Sequence, residues 1–300
     1  MRVGVDIGGT NTDAVVLDDA GAIAHSLRLP TGWGSEQVLS TATTAVRQLA
    51  GSVGIEPSAF LSIGVGIPGA VDAEHGTVTH ARNLGVARLD LGTLLAESLG
   101  AAVRVENDVN AAALGAFHQL GLDESRSLAY LNLGTGLAAG LVLGGKLWRG
   151  SRGAAGEIGH VLIDPRGPLD NDGQPGALEV LASGSGIASQ RQGTVVEMLE
   201  AAAAGEPLAL EVRSGLFRGV ASAVRVLVLT LDVDVVVIGG GISRMGDELL
   251  GPTRALFAEW EAVSPFITSL GLGERVRILP PDSSTAATGA AWLGRTQWQR

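Results

Sequence analysis

One pattern in this sequence is written twice. Val5–Leu17, VDIGGTNTDAVVL, and Leu131–Leu143, LNLGTGLAAGLVL, each give an apolar run, a glycine-rich turn and a second apolar run. Asp6 stands opposite Asn132, Gly8 opposite Gly134, and positions 15–17 opposite 141–143. Two β runs joined by a short glycine turn read as a hairpin. The repeat therefore predicts a duplicated domain, with both turns facing a shared cleft.

The rest of the chain alternates strands and helices. SEQVLSTATTAVRQLA (Ser35–Ala50) has helical apolar spacing with Ser35 as N-cap, and LSIGVGIPG reads as a buried strand ending in a Pro-Gly turn. LDLGTLLAESLG reads as helix, AAVRVEN as strand, and DVNAAALGAFHQLG as an alanine-rich helix starting at Asn107 or Asp108. After a loop-rich stretch over 150–180, one helix is expected from about Glu179 to Leu199 and another through EVRSGLFRGVASAVRVLVLTLD. A strand (VDVVVI), a glycine turn, a helix, the strand RVRILP and a last helix complete the chain. The alternation defines an α/β class. No Gly/Ser-rich or Pro-rich linker separates the halves.

Composition removes several functions. The net charge of -10 argues against a nucleic-acid partner. No apolar run reaches the ~18 residues of a membrane span, and Arg2 enters a strand-like run at once, so neither a membrane partner nor a signal peptide is expected. Zero cysteines exclude disulfides, thiolate catalysis and Cys-ligated zinc. A cytoplasmic protein is the expectation. Lys146 is the only lysine and precedes Leu147, so there is no Walker A loop, and a protein-kinase strand lysine is not expected. A nucleotide would have to be held by backbone groups.

Several segments offer such chemistry, each beside a plainer reading. In DIGGTNT, the glycine amides and the Thr10 and Thr12 hydroxyls suit phosphate, and Asp6 suits magnesium; an ordinary tight hairpin is the alternative. Gly134-x-Gly136-x-x-Ala139 matches a dinucleotide fingerprint, but Gly140, Gly144 and Gly145 interrupt a run suited to strands, so a Rossmann turn is the lesser reading. Asn107 and Asp108 end a strand and open a helix: a standard N-cap, or a general base with a residue orienting its substrate. Asn83 reads as a turn residue or a ligand contact. Glu157 and His160, three apart in GAAGEIGH, suit contacts to a hydroxylated ligand better than zinc hydrolysis. Gly239–Gly241 could lie against adenosine, or let a helix pack on the sheet.

Taken in order, DIGGTNT, GVGIPG, ARNLG, ENDVNAAALGAF, LGTGLAAG, GAAGEIGH, Leu178-Glu179, IGGG and ATGAA resemble the ROK family of bacterial sugar kinases and sugar-responsive repressors. The resemblance runs along nearly the whole chain. It implies two duplicated ribonuclease-H-like, actin-type α/β domains with an interdomain cleft. These are expected at 1–108, with a C-terminal helix of about 286–300 packing back on that domain, and at 109–285. It implies that Gly8, Gly9, Thr10, Thr12, Gly134, Thr135 and Gly136 meet the ATP phosphates, with Asp6 at the Mg2+ and Gly239, Gly240 and Gly241 near the adenosine. Asn83, Asn107, Asp108, Glu157, His160 and Glu179 would bind the sugar, and Asp108 would be the catalytic base. The implied activity is phosphoryl transfer from ATP, or polyphosphate, to the 6-hydroxyl of a hexose, glucose first. The alternatives are an N-acetylhexosamine, mannose or fructose kinase, or a catalytically weak sugar-binding regulator. Family repressors carry an N-terminal helix-turn-helix, which a strand starting at Arg2 does not match. Family members are often dimers or tetramers, so a homodimer or homotetramer is expected.

Three departures from the family pattern stand out. Asn11 replaces a lysine or similar residue. Ala138 and Ala139 stand where a glycine pair is common, which could crowd the second phosphate turn. In PLDNDGQPGALE (Pro168–Glu179), Asp170, Asp172 and Ala177 replace the cysteines that bind structural zinc together with the histidine matching His160. The stretch also approaches a calcium loop, but its first position is Pro168, without a ligand atom, and Pro165 and Gly167 break any entering helix. No structural zinc is expected, and the loop should be held by turn chemistry.

Overall fold

The computed structural model describes residues 1–170, 172–280 and 283–295. The chain opens with β1 (Arg2–Ile7), β2 (Asn11–Leu17), β3 (Ile23–Pro30) and α1 (Ser35–Val53). Then come β4 (Ile63–Ile67), β5 (Ala70–Asp72), β6 (Thr77–Ala81), β7 (Val86–Leu89), α2 (Leu91–Leu99), β8 (Val103–Asn107) and α3 (Asp108–Gln119). A second strand group, β9 (Leu128–Leu133), β10 (Leu137–Leu143) and β11 (Lys146–Trp148), precedes α4 (Leu178–Ala182), α5 (Gly184–Gln190), α6 (Val195–Ala203) and α7 (Pro207–Leu231). The last elements are β12 (Val235–Gly239), α8 (Asp247–Val263), α9 (Pro265–Leu270), α10 (Leu272–Arg275), β13 (Val276–Ile278) and α11 (Thr285–Trp292).

The repeated hairpins open two sheets of the same plan. The first has the order β3-β2-β1-β4-β8 and the second β11-β10-β9-β12-β13. In the first, β1 and β3 run antiparallel to β2, while β4 is parallel to both β1 and β8. In the second, β10 and β11 are antiparallel, while β12 is parallel to both β9 and β13. A small antiparallel sheet, β5-β6-β7, follows β4. The described chain gathers into two units. The first takes Met1–Ser125, Gly140–Ala155 and α11; the second takes Arg126–Ala139 and the stretch from Gly156 through β13. The first unit thus runs on through α3, past the boundary expected at Asp108.

Three local expectations change. Gly34, at φ 89°, takes the cap of α1 and leaves Ser35 as its first residue, because only glycine enters that conformation without strain. The single helix expected over 179–199 is three. Ser183 ends α4 in extended conformation and caps α5, and a Thr194–Glu197 capping box starts α6. The final helix stops at Trp292, a 3-10 turn covers Leu293–Arg295, and residues 296–300 lie outside the described residues. Helix α7 is long and apolar enough to cross a membrane, but half of its most apolar window is buried in its own unit. Val212, Leu216, Val220, Val224 and Leu227 supply that buried stripe at helical spacing.

The first unit is built on alternating Val3, Val5 and Ile7 of β1, packed with Ile63, Val65 and Ile67 of β4 and with Val38, Val46 and Leu49 of α1. Helix α11 covers the opposite face at backbone distance. A Cβ on Gly4 of β1 would lie 1.8 Å from the Ala287 carbonyl oxygen, and one on Gly64 of β4 would lie 1.9 Å from that of Ala290. Between α3 and α11 the same holds for Gly115 against Thr285 and for Gly289 against the Ala111 carbonyl oxygen. This clamps α3, and hence its first residue Asp108, to the sheet. Gly289→Ala would gain about 1 kcal/mol of helix propensity, yet overpacking a rigid contact costs about 1–3 kcal/mol, and here the obstacle is backbone. With the cost at the upper part of that range, we expect a net loss of about 1–2 kcal/mol in urea unfolding; an unchanged or raised midpoint would contradict the contact.

Candidate functional site

In the first unit the polar groups gather at the carboxyl ends of β1, β4 and β8. The parallel register sets Asp6 beside Gly66 and Gly66 beside Glu106. Asp108 follows β8 as the first residue of α3. Gly66 keeps the space between the carboxyls clear. A Cβ there would stand 3.5 Å from Asp108 Cα, 3.8 Å from Asp6 Oδ1 and 3.2 Å from Ala111 Cβ. The motif GVGIPG was legible in the sequence, but this role of Gly66 depends on a register that only pairing of the strands fixes.

Asn107 takes up the plainer of its two readings in full. Its Oδ1 accepts from the N–H groups of Val109 (2.9 Å) and Asn110 (3.2 Å), and its Nδ2 donates to the Gly69 carbonyl (3.3 Å). It caps α3 and ties it to the Pro68-Gly69 turn after β4. Asp108 Oδ1 accepts from Val109 N–H at 3.0 Å. Burial raises the Asp108 carboxyl above the ordinary carboxylate range, and the backbone N–H groups of Val109 and Asp108 with the Asn107 side chain offset only part of that. Burial, with the neighbouring charges of Asp108 and Asp13, pushes Asp6 up to about 8. Both side chains keep a partly open surface.

The glycine turn between β1 and β2 leaves Gly9 and Thr10 exposed. Thr12 is different: it is fully buried, and its hydroxyl lies 2.9 Å from that of Thr31, which donates to the Gly8 carbonyl at 2.8 Å. Thr12 therefore braces the turn from below and has no surface for a phosphate, which corrects its expected role. Asn83 sits in a short 3-10 turn against Gly9, where a Cβ would lie 3.4 Å from its Nδ2. Thr31, unmarked in the sequence, is the partner that holds the turn.

The second unit has its own glycine turn. Gly134 N–H donates to the Gly136 carbonyl (3.0 Å), while the carbonyls of Gly134 and Thr135 accept from Gly184 and Ser185 N–H at 2.9 Å each. Thr135 itself is exposed. Ala138 and Ala139 lie beyond the turn in β10, and Ala139 is buried with its N–H on the Gly156 carbonyl (2.7 Å). Both alanines thus stand in the strand beyond the Gly134–Gly136 turn. Glu179 Oε2 accepts from Leu137 N–H at 3.0 Å and lies against Gly136. It thus braces the glycine turn from α4, a contact its sugar-binding reading did not include. Glu157 and His160 share one exposed 3-10 turn, where His160 N–H donates to the Glu157 carbonyl at 3.4 Å.

Of Gly239–Gly241, two are explained by packing. A Cβ on Gly239 would strike the Tyr130 hydroxyl at 1.8 Å, and one on Gly240 would meet the Leu133 carbonyl group at 2.5 Å. Only Gly241 faces open space. Asn132 is the residue that sequence reasoning left without a role. Its Nδ2 stands 3.3 Å from the Cβ position of Gly134, and its Oδ1 stands 2.8 Å from that of Gly240. It lies between both glycine turns, at the place in its sheet that Asp6 holds in the first.

The segment Pro168–Glu179 is held by turn chemistry. Asp170 Oδ1 accepts from Asp172 N–H (3.0 Å) and Gln174 N–H (2.8 Å), and Gly176 N–H donates to the Pro168 carbonyl at 2.8 Å. Ala177 is fully buried with Val180 and Leu181. Among the described residues no group of three or more His, Cys, Asp or Glu side chains is placed to hold a metal ion.

The raised Asp6 carboxyl carries a stability consequence. A carboxyl with a folded pKa above its unfolded value of 3.8 binds its proton more tightly in the native state, so stability falls as pH rises from about 4 to about 8. Asp6→Asn removes that penalty. In magnesium-free buffer its melting temperature should exceed the parent's at pH 8 and match it at pH 4; an offset independent of pH would contradict the burial.

Comparison with known proteins identifies the family. The ROK family profile matches residues 2–297. A glucokinase of Halalkalibacterium halodurans is 30% identical over 98% of this chain and 95% of its own. An N-acetylmannosamine kinase of Citrobacter koseri is 32% identical over 86% of this chain and 89% of its own. The crystal structure of a ROK family glucokinase from Streptomyces griseus, in complex with glucose and AMPPNP, superposes with a TM-score of 0.74 at 29% identity, covering 98% and 99% of the two chains. With its profile matched from the first strand to the C-terminal helix, this chain belongs to the ROK family.

Proposed function

We propose that this chain is a sugar kinase that transfers the γ-phosphoryl group of ATP to the 6-hydroxyl of a hexose, with glucose the first candidate. The observation that carries the reading is Asp108: a partly open carboxyl, raised by burial, fixed at the start of α3. Phosphoryl transfer needs little covalent work from a protein beyond alignment, charge stabilisation and a group that takes the hydroxyl proton. A carboxyl above its ordinary range is a better proton acceptor for that task than an exposed one. The sugar oxygen bonds to the γ-phosphorus, ADP leaves with the bridging oxygen, and the hydroxyl proton goes to Asp108. Asn83, Glu157, His160 and Glu179 complete the proposed hydroxyl contacts, with Asn107 fixing the base.

The exposed backbone of Gly9, Thr10 and Thr135 is what suits the phosphates. Asp6 suits a hard cation, because a carboxyl disfavoured as a lone buried anion is relieved by a positive ion. Magnesium bound there, directly or through water, would supply neutralisation of phosphate charge. Similarity to a glucokinase and to a glucose-bound glucokinase structure supports glucose; the N-acetylmannosamine kinase relative keeps amino sugars in the test. The cytoplasmic setting and the homodimer or homotetramer belong to the same proposal.

Coupled ADP release should be sugar-dependent across a panel of glucose, mannose, fructose, N-acetylglucosamine and N-acetylmannosamine, and fastest with glucose. Asp108→Asn should lower kcat by about 10²–10⁴-fold, with sugar binding retained in calorimetry. The parent rate should fall as pH drops through the raised Asp108 pKa, a limb lying above the ordinary carboxylate range. No sugar-dependent ADP release with any member of the panel would overturn the reading.

A further inference from the structure

Next to the proposed base lies a buried ion pair that the proposed chemistry does not use. Glu106, the residue before Asn107, has a side chain 3% exposed. Its Oε1 accepts from Asn107 N–H at 2.9 Å and from Asn110 Nδ2 at 3.0 Å. Its Oε2 accepts from Arg149 Nε at 2.7 Å and from Arg149 Nη2 at 2.5 Å. One carboxylate thus joins the first turn of α3, through a backbone amide and a side chain, to a guanidinium delivered by the loop after β11. Arg149 belongs to the same unit as α3 and is 23% exposed.

A carboxylate this deep is tolerated only with its charge and lone pairs matched. Arg149 matches both, because two N–H donors of a planar guanidinium converge on one oxygen while the other oxygen stays on α3. Removing Arg149 leaves a buried anion that turns toward water or toward new donors. Either movement pulls at Asn107 N–H and Asn110 Nδ2, the groups that fix the helix start bearing Asp108. A shift of about 1 Å in a reacting group can cost on the order of 100-fold in rate.

We infer that Arg149 is a positioning residue, acting through Glu106 to hold the helix start at Asn107–Asn110 and with it the Asp108 carboxylate. The inference rests on the kinase reading for its kinetic consequence, and its structural half stands without it. In the sequence, ENDVN marked the receiving end, while nothing marked the arginine 43 residues away.

The test pairs hydrogen–deuterium exchange with kinetics on the full chain. Arg149→Ala should speed amide exchange across Asn107–Asn110 while leaving the second unit unchanged. It should also lower kcat by about 10–100-fold with the ATP KM within about two-fold. Arg149→Lys, which is safer for folding, should lose part of this, since an ammonium does not offer the guanidinium's paired donors. Millimolar guanidinium ion should restore both slow exchange and turnover to Arg149→Ala, whereas ammonium should not; a purely structural loss would not be rescued. Arg152→Ala, in the exposed loop beyond, should match the parent. Unchanged exchange and kcat in folded Arg149 variants would overturn the inference, as would a loss that guanidinium fails to reverse. If the parent itself transfers no phosphoryl group to any sugar, the kinase reading fails, and the exchange data with and without guanidinium still decide the clamp.

Discussion

Two partly buried carboxyl groups set the terms for the first unit. Asp6 and Asp108 stand at strand ends, each raised by burial, with Asp6 raised further by Asp108. Such an arrangement lowers stability and persists only where the surroundings leave it no alternative. Here α11 approaches β1, β4 and α3 so closely that glycine alone fits at the contacts, which fixes both carboxyls through their backbones. Gly66 leaves the space between them bare. Asn107 uses its whole side chain to start α3 and to hold the Pro68-Gly69 turn. The stability given up at the carboxyls is what makes the site suited to a proton and a hard cation.

The duplication is visible in the two sheets, and its interest lies in where the copies differ. The same strand order yields a turn beside an acid, Asp6, in one unit and a turn beside an amide, Asn132, in the other. An amide at Asn132 carries no charge to repel phosphate, and it stands between two glycine turns.

Much of this was legible in the sequence because it is local. The glycine hairpins, the cap at Asn107, the strand–turn–helix around Gly239–Gly241 and the absence of metal-binding cysteines all follow from neighbours in the chain. What was not legible is long-range. Thr12 reads as a phosphate ligand until Thr31 is found against its buried hydroxyl. Gly239 and Gly240 read as nucleotide contacts, and only the fold shows that Tyr130 and Leu133 leave no room for a side chain at either. Glu179 reads as a sugar ligand, and its bond to Leu137 N–H shows only when α4 reaches the second turn. Arg149 had no local signal, since it stands in a loop and its partner Glu106 lies on β8. The single helix expected beyond Glu179 failed for a local reason that periodicity overlooks: Ser183 and Thr194 are better caps than interior residues.

The central claim is that partial burial raises both aspartates above the ordinary carboxylate range, Asp6 to about 8. Carbon-detected NMR titration of the aspartate carboxyls in the metal-free protein measures this directly. The account predicts one carboxyl titrating near 8, absent in Asp6→Asn, and a second above the ordinary range, absent in Asp108→Asn. Every aspartate titrating at or below about 4 would contradict it.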